Sequence, residues 1–182
     1  MKNVALHNLG CKVNSYEMDF VQQNLQEKGY KIVAFDKKAD IYIVNTCSVT
    51  NIADRKSRQM LHRAKKRNPD AIVVAMGCYV QAGKEQALAD PCIDLAIGNN
   101  RKKDVVEILE RFLAKREASK QRGQNAQAGG AYDPVAEKTL ERATVIDIAH
   151  TDQYEEMTVR RTADHTRAYI KIQDGCNQFC SY

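Results

Sequence analysis

Three cysteines open the question of chemistry. Cys11, in "NLGC", Cys47, in "VNTC", and Cys78, in "AMGC", each follow a short apolar run, and they lie far apart in the chain. Soft thiolate ligands select zinc, copper(I) or iron–sulfur clusters. A structural zinc takes four ligands, yet no local CxxC pair or HxxxH supplies the rest. A [4Fe–4S] cluster usually takes four cysteines, and three would leave one iron open to another ligand. Spacing alone leaves three readings: convergent metal ligands, unrelated buried thiols, or a thiol–disulfide redox pair. His7 is a candidate fourth donor, but it lies inside the first apolar run, where a lone histidine is more often a satisfied side chain. Cys92 follows Pro91 and precedes another apolar run; it reads as a structural thiol at the opposite end of whatever sheet these runs form. A second pair, Cys176 and Cys180, stands near the C-terminus. Its CxxxC spacing is a weak signal by itself, because zinc pairs favour C-x2-C or C-x4-C.

The runs that must position these thiols alternate with helical patterns. Residues 2–9, 30–35, 41–45, 71–76 and 93–97 are apolar or β-branched and read as strands. Between them, residues 14–29 read as a helix, with Asn14 as its cap, Glu17 as a capping-box partner and Gly29 as its stop. Residues 51–67 form a second helix closed by Asn68-Pro69, with Ala53, Ser57, Met60, Leu61 and Ala64 on its inner face. Residues 82–89 form a short helix, and 101–116 a longer one with Val105, Ile108, Leu109, Phe112 and Leu113 on one face. Strands with continuous apolar runs, separated by helices, imply an α/β fold: an open parallel sheet with helices on both faces. In the common flavodoxin-like order 2-1-3-4-5 the first, third and fourth strands are neighbours, and ligands bind beyond their C-terminal ends. With neighbouring strands about 4.8 Å apart, Cys11, Cys47 and Cys78 fall on one rim. One link is awkward, since only "DKKAD" (36–40) joins the second and third strands, and a parallel crossover usually needs a dozen residues or more.

Beyond residue 116 the pattern weakens. Residues 117–130 are polar and Gly/Gln/Ala-rich, as in a linker or exposed loop. Residues 143–149 and 157–163 are candidate short strands. Residues 166–173 alternate Ala168, Ile170 and Ile172 against Tyr169, Lys171 and Gln173, a strand pattern leading into Gly175-Cys176.

The chain has 182 residues, 43% of them hydrophobic, and a net charge of +5. No run approaches the roughly 20 apolar residues of a membrane span, and the N-terminus lacks a signal-peptide pattern. A cytoplasmic protein with no membrane contact is expected, and six cysteines in a reducing compartment read as ligands or catalytic groups. The helix at 51–67 carries Arg55, Lys56, Arg58, Arg63, Lys65, Lys66 and Arg67 against Asp54. Such a face is often merely solvated, and it also suits RNA phosphates. "RKK" at 101–103 opens a predicted helix, where cations oppose the dipole and hint at anion binding.

The stretch "HTRAYIKIQDGCNQFCSY" (165–182) resembles the start of the radical S-adenosylmethionine (SAM) domain of methylthiotransferases. "GCKVNSYEM" (10–18), "NTCSVTNIAD" (45–54) and "GCYVQ" (77–81) resemble the three cysteine boxes of the same family's N-terminal domain. The resemblance implies a methylthiotransferase N-terminal domain at 2–116, a linker with short strands at 117–161, and the start of a radical SAM barrel at 162–182. It implies that Cys11, Cys47 and Cys78 bind an auxiliary [4Fe–4S] cluster whose open iron carries the donated sulfur. Cys176 and Cys180, with a third cysteine that would be residue 183, would hold the SAM-binding [4Fe–4S] cluster. It further implies methylthiolation of transfer RNA by a monomer, with an electron donor such as flavodoxin or ferredoxin. The "GCKVN" box is similar to the branch acting on N6-threonylcarbamoyladenosine at position 37; other branches act on isopentenyladenosine or on a ribosomal protein. As an N-terminal fragment the chain is expected to be inactive alone. The rival expectation is a metal-binding, RNA-contacting module without catalysis.

Overall fold

A computed structural model of the chain describes residues 1–125, 143–145, 154–160 and 169–172. Its elements run β1 (Asn3–Asn8), α1 (Lys12–Glu27), β2 (Lys31–Val33), β3 (Ile41–Thr46), α2 (Asn51–Arg67), β4 (Ile72–Gly77), α3 (Cys78–Ala82), α4 (Lys84–Ala89), β5 (Leu95–Ile97), a 3-10 segment (Asn99–Asp104), α5 (Val105–Asn125) and β6 (Ala143–Thr144). All strand pairs are parallel, in the order β2-β1-β3-β4-β5-β6. The open parallel sheet and its first five positions are those the sequence implies, and residues 143–144 add a short sixth strand.

The continuous apolar runs have a two-sided explanation. Alternate residues of each strand face opposite layers, and both layers are covered. Ile41, Ile43, Ile72, Val74, Met76, Leu95 and Ile97 pack with Met18, Val21 and Leu25 of α1 and with Val105, Leu109 and Leu113 of α5. Tyr42, Val44, Val73, Ala75 and Ala96 face the other way, against Leu61 and Ala64 of α2, Tyr79 and Val80 of α3, and Ala87 of α4. On α2, Ser57, Leu61 and Ala64 are the buried residues, at the helical spacing expected of an inner face.

The short crossover between β2 and β3 works because β2 is short. Val33 ends beside Ala5, whereas Ile41 begins beside Val4. The chain therefore backs up by about one residue while it passes over β1, a lateral step of two strand spacings, or about 10 Å. A β-turn closes with Lys37 N–H donating to Ala34 O (2.9 Å), and no helix is needed. Tyr42 fixes the loop: its hydroxyl donates to Lys37 O (2.7 Å) and accepts from Ala39 N–H (3.1 Å).

Two local expectations are corrected. Helix α1 begins at Lys12 with Cys11 as N-cap, so Asn14 lies inside the first turn and Glu17 makes no capping box. Instead Glu17 Oε2 accepts from Lys102 Nζ at 2.5 Å, with both side chains at most 5% exposed, and Lys171 Nζ lies 3.8 Å from Glu17 Oε1. That also removes Lys102 from the anion-binding reading of "RKK". The long helix starts at Val105, after the 3-10 segment, and Lys102 turns inward as a buried counterion. Where α1 stops, the reading holds. Gly29 has φ +82°, Tyr30 N–H donates to Leu25 O and Gly29 N–H to Gln26 O, the paired bonds of a Schellman motif.

Helix α5 continues past residue 116 to Asn125. Residues 154–160 lie along α1 without strand structure: Tyr16 donates to Met157 O (2.6 Å), and Arg160 N–H donates to Gln23 Oε1 (2.8 Å). Residues 169–172 form no strand either, with Ile170 and Ile172 exposed. Cys176 and Cys180 lie outside the described residues.

Removing one partner of a buried ion pair costs about 3–5 kcal/mol, while replacing both with apolar groups is far milder. Lys102→Met should lower unfolding free energy by about 3 kcal/mol, and replacing the whole buried group, Glu17→Leu with Lys102→Met and Lys171→Met, should recover most of it. Urea titration of the three proteins checks this, and equal midpoints would contradict it.

Candidate metal centre at the strand ends

The rim is set by register. Asn45 of β3 pairs with Asn8 of β1 on one side and with Met76 of β4 on the other, and Thr46 pairs with Gly77. Cys47 and Cys78 are thus the next residues on adjacent strands. On β1 the ladder extends one step, with Leu9 N–H donating to Asn45 O (2.9 Å). The chain then turns at Gly10, and Cys11 caps α1. The structure places Cys11, Cys47 and Cys78 at the same end of the sheet, and all three are free thiols.

Glycine is required at two of these turns. Gly10 has φ +101° and Gly77 has φ +99°, conformations that L side chains rarely adopt. A Cβ on Gly10 would lie 2.9 Å from both Cβ and Sγ of Cys47, and one on Gly77 would lie 2.6 Å from Asn45 Oδ1. The β1 turn therefore rests directly on the Cys47 side chain. The "VNTC" box uses Thr46 instead, whose hydroxyl donates to Met76 O (2.6 Å) and accepts from Tyr79 N–H (3.3 Å).

Buried amides tie the three turns together. Asn14 Nδ2 donates to Leu9 O (2.7 Å) and Thr46 O (3.1 Å), and Asn45 Nδ2 donates to Asn14 O (3.0 Å). Ser57, on α2, accepts from Cys47 N–H at 3.0 Å, and its hydroxyl lies 2.9 Å from Cys47 O. Asn99 sets its side-chain amide 3.8 Å (Nδ2) and 3.9 Å (Oδ1) from Cys78 Sγ, and its own N–H donates to Gln81 Oε1 (3.0 Å). Sequence reading missed Asn45, Thr46 and Asn99 as site residues, assigned Asn14 to a cap, and gave Ser57 only an inner-face role. The doubled Asn after a strand end, "GNN", was the available signal for Asn99.

The thiols are graded in exposure: Cys47 is buried, Cys78 intermediate and Cys11 exposed. They do not form a single-ion set. Among the described residues, the one group of three such ligands with atoms all within 4.8 Å is His62, Asp90 and Cys92. Three soft donors on one rim are of the type that holds zinc or an iron–sulfur cluster. His7 does not join them; its ring packs on Phe35 at a centroid distance of 4.9 Å. Burial, then Arg63, pushes its pKa below the usual histidine value. Cys92 lies before β5, at the other end of the sheet, where Asp94 N–H donates to Val73 O at the start of β4.

The basic side chains of α2 are divided. Arg55, Lys56 and Arg58 belong to the half that follows β3 and the rim, with Arg58 3.7 Å from Asp54. Arg63 is exposed further along. Lys65 is held at the far end by Asp94 Oδ2 (2.8 Å) and Ala71 O (2.9 Å), and Arg67 by Asp36 O. Lys66 is exposed beside them. A helix of 17 residues spans about 25 Å, so the seven cations do not form one patch at the rim.

The fold and its rim define an open, doubly wound α/β domain with a thiol-bearing ligand end. A family model described as "Uncharacterized protein family UPF0004" matches residues 3–98. The match covers more than half of the chain, and the chain belongs to that family. Over its full length the chain is 35% identical to "Threonylcarbamoyladenosine tRNA methylthiotransferase MtaB" of Bacillus subtilis (strain 168), covering 35% of that protein. It is 28% identical to "tRNA-2-methylthio-N(6)-dimethylallyladenosine synthase" of Methylacidiphilum infernorum (isolate V4), again over the whole chain and 35% of the relative. Identity to "Ribosomal protein uS12 methylthiotransferase RimO" of Thermoanaerobacter sp. (strain X514) is 27% over the whole chain, covering 37% of the relative. The chain thus spans about a third of the length of the curated relatives it matches, and the resemblance carried by the cysteine boxes extends over all of it.

Two outcomes follow. Gly10→Ala should destabilise the domain by about 1–3 kcal/mol, through positive-φ strain and the clash with Cys47, as read by urea unfolding. Because His7 is favoured neutral in the fold, stability should decline as pH falls through the ordinary histidine range near 6.5. That portion of the decline should vanish in His7→Gln, and an unchanged pH profile in the variant would refute the assignment.

Proposed function

We propose that the chain is the N-terminal, cluster-bearing part of a methylthiotransferase that modifies C2 of N6-threonylcarbamoyladenosine at position 37 of transfer RNA. The observation that carries this reading is the convergence of Cys11, Cys47 and Cys78 on one rim of the parallel sheet. The higher identity to the MtaB protein than to the other two kinds of relative supports the nucleoside choice. In this reading residues 2–116 are the family's N-terminal domain, 117–161 connect it, and 162–182 begin the radical SAM domain. Cys11, Cys47 and Cys78 hold one [4Fe–4S] cluster, and Cys176 and Cys180 contribute to a second that binds SAM. Flavodoxin or ferredoxin is the proposed electron source for a monomeric, cytoplasmic enzyme.

When bound, the clusters and SAM supply the activation of an aromatic C–H bond and the sulfur and methyl placed there, chemistry beyond any acid–base side chain. The residues described here position and expose the site. Ser57 and Gly10 fix Cys47 as the buried anchor. Asn99 brings an amide donor toward Cys78 Sγ, and Cys11 stands at the solvent side, where a substrate can approach. Exposed Arg55 and Lys56 flank the rim and suit phosphates on an incoming RNA.

Anaerobic reconstitution should give about four irons and four sulfides at this rim. Cys47→Ala should abolish them and Cys92→Ala should retain them. Stoichiometric zinc without sulfide that is lost in Cys47→Ala and kept in Cys92→Ala would instead establish the metal-binding RNA module. For RNA, each phosphate contact contributes a slope of about −0.9 in log K against log salt for duplex, or −0.7 for single strands. Replacing Arg55 and Lys56 by Ala should therefore reduce the slope magnitude by about 1.4–1.8, whereas Lys66→Ala should leave it unchanged. Equal effects at both ends of α2 would sink the rim-facing arrangement.

A further inference from the structure

A second group of ligating side chains lies away from the rim. His62 projects from α2, while Asp90 and Cys92 belong to the turn between α4 and β5. His62 Nε2 stands 2.7 Å from Asp90 Oδ2, Cys92 N–H donates to Asp90 Oδ1 at 2.8 Å, and the three potential ligand atoms all lie within 4.8 Å of one another. We propose that His62, Asp90 and Cys92 form a zinc site, separate from the cysteine rim, with its fourth position open to water.

The donor set carries the choice of metal. One thiolate, one imidazole and one carboxylate are the three zinc ligand types, and the sulfur disfavours magnesium and calcium. Zn–N and Zn–O bonds of about 2.0–2.2 Å and Zn–S of about 2.3 Å place tetrahedral ligands about 3.3–3.6 Å apart. The 2.7 Å imidazole–carboxylate contact must open slightly to admit the ion, and all three ligand atoms already lie within 4.8 Å of one another. An exposed imidazole at the end of a side chain can make that adjustment. The ion enters between His62 and Asp90, and the Cys92 thiol proton leaves to solvent as the Zn–S bond forms.

The surroundings permit it. Asp90 is held by the backbone on both sides: its N–H donates to Gln86 O (3.2 Å) and its carbonyl accepts from Ile93 N–H (3.1 Å). Pro91 stiffens the same turn. The neighbouring cation, Lys65, is engaged by Asp94 and Ala71 O. Exposures of 55% for the His62 side chain and 11% for Asp90 leave an entry path on the histidine side. Such an ion would clamp α2 to the turn that launches β5, at the end of the sheet opposite the rim.

The test reads Cys92 itself, so it is independent of what the rim binds. Alkylation of Cys92, followed by peptide mass spectrometry, should slow about 100-fold at free Zn²⁺ one hundred times its Kd. His62→Ala and Asp90→Asn should each remove that protection. A companion measurement uses Co²⁺ with the protein in which Cys11, Cys47, Cys78, Cys176 and Cys180 are all replaced by Ala, so that Cys92 is the one thiol left. A thiolate-to-cobalt absorption band should be present and should disappear when Cys92→Ser is added. Zn²⁺-independent alkylation of Cys92, protection that survives His62→Ala, or absence of the cobalt band would each overturn the site and leave an ordinary turn hydrogen-bonded to a surface histidine.

Discussion

The level register of β1, β3 and β4 is the constraint on which the rest of this molecule depends. Asn45 is paired on both sides, to Asn8 and Met76, so the turns that follow leave the sheet at one height. A slip of one residue would displace one thiol by about 3.3 Å along its strand and turn every side chain to the other face. Burial alone does not prevent this slip, because both faces are buried. Size does. The face toward α2 sets Ala5, Ala75 and Ala96 beside Tyr42, Val44 and Val73, while the face toward α1 and α5 carries Ile41, Ile43, Met76 and Ile97. A slip would put Ile or Met where Ala now packs on one strand and Tyr42 where Ile now packs on another, and close-packed cores tolerate neither change of volume.

Above that frame, the rim is rigid at its base and open at its edge. Cys47 is enclosed by Gly10 and by Ser57, whereas Cys11 is exposed. The enclosure has a cost. Asn8 Oδ1 and Asn45 Oδ1 are buried acceptors without a hydrogen-bond partner among the described residues, and each such group costs about 1–3 kcal/mol. The two are paired with each other at the end of the β1–β3 ladder, three residues before Cys11 and two before Cys47. Local rules broken at strand ends, and kept through the rest of the sheet, mark a place where geometry is held for something other than stability.

The sequence made the frame readable because strand runs and their glycine- or threonine-marked ends are local signals. The common end of Cys11, Cys47 and Cys78, and the position of Cys92 at the other end, follow from chain direction in a parallel sheet, while the order of strands came from the common flavodoxin-like arrangement. What stayed hidden was pairing across distance. Glu17 and Lys102 are 85 residues apart, and each carries a strong local alternative: Glu17 completes a capping-box pattern, and Lys102 sits in a basic triplet before a helix. Nothing local tells either that its partner is the other. Asn14 misleads in the same way, since Asn is a good cap, while here its amide bridges Leu9 O and Thr46 O from inside the first turn. The split of the α2 cations was obscured for a related reason: a linear count of charge ignores that a long helix ends far from where it starts.

The buried pair and the rim are parts of one arrangement. Glu17 lies about one and a half turns along α1 from Cys11, and Lys102 lies three residues beyond Asn99, which faces Cys78. The Glu17–Lys102 contact therefore fastens the helix that starts at the first thiol to the segment whose amide meets the third, bridging flanks that the sheet does not hydrogen-bond to each other. Such a link is costly to desolvate and adds little net stability against an apolar substitute. Its value is directional: a salt bridge with Nζ and Oε2 at 2.5 Å fixes the rotation of α1 about its axis in a way that Leu25 or Val21 packing against a smooth apolar layer does not.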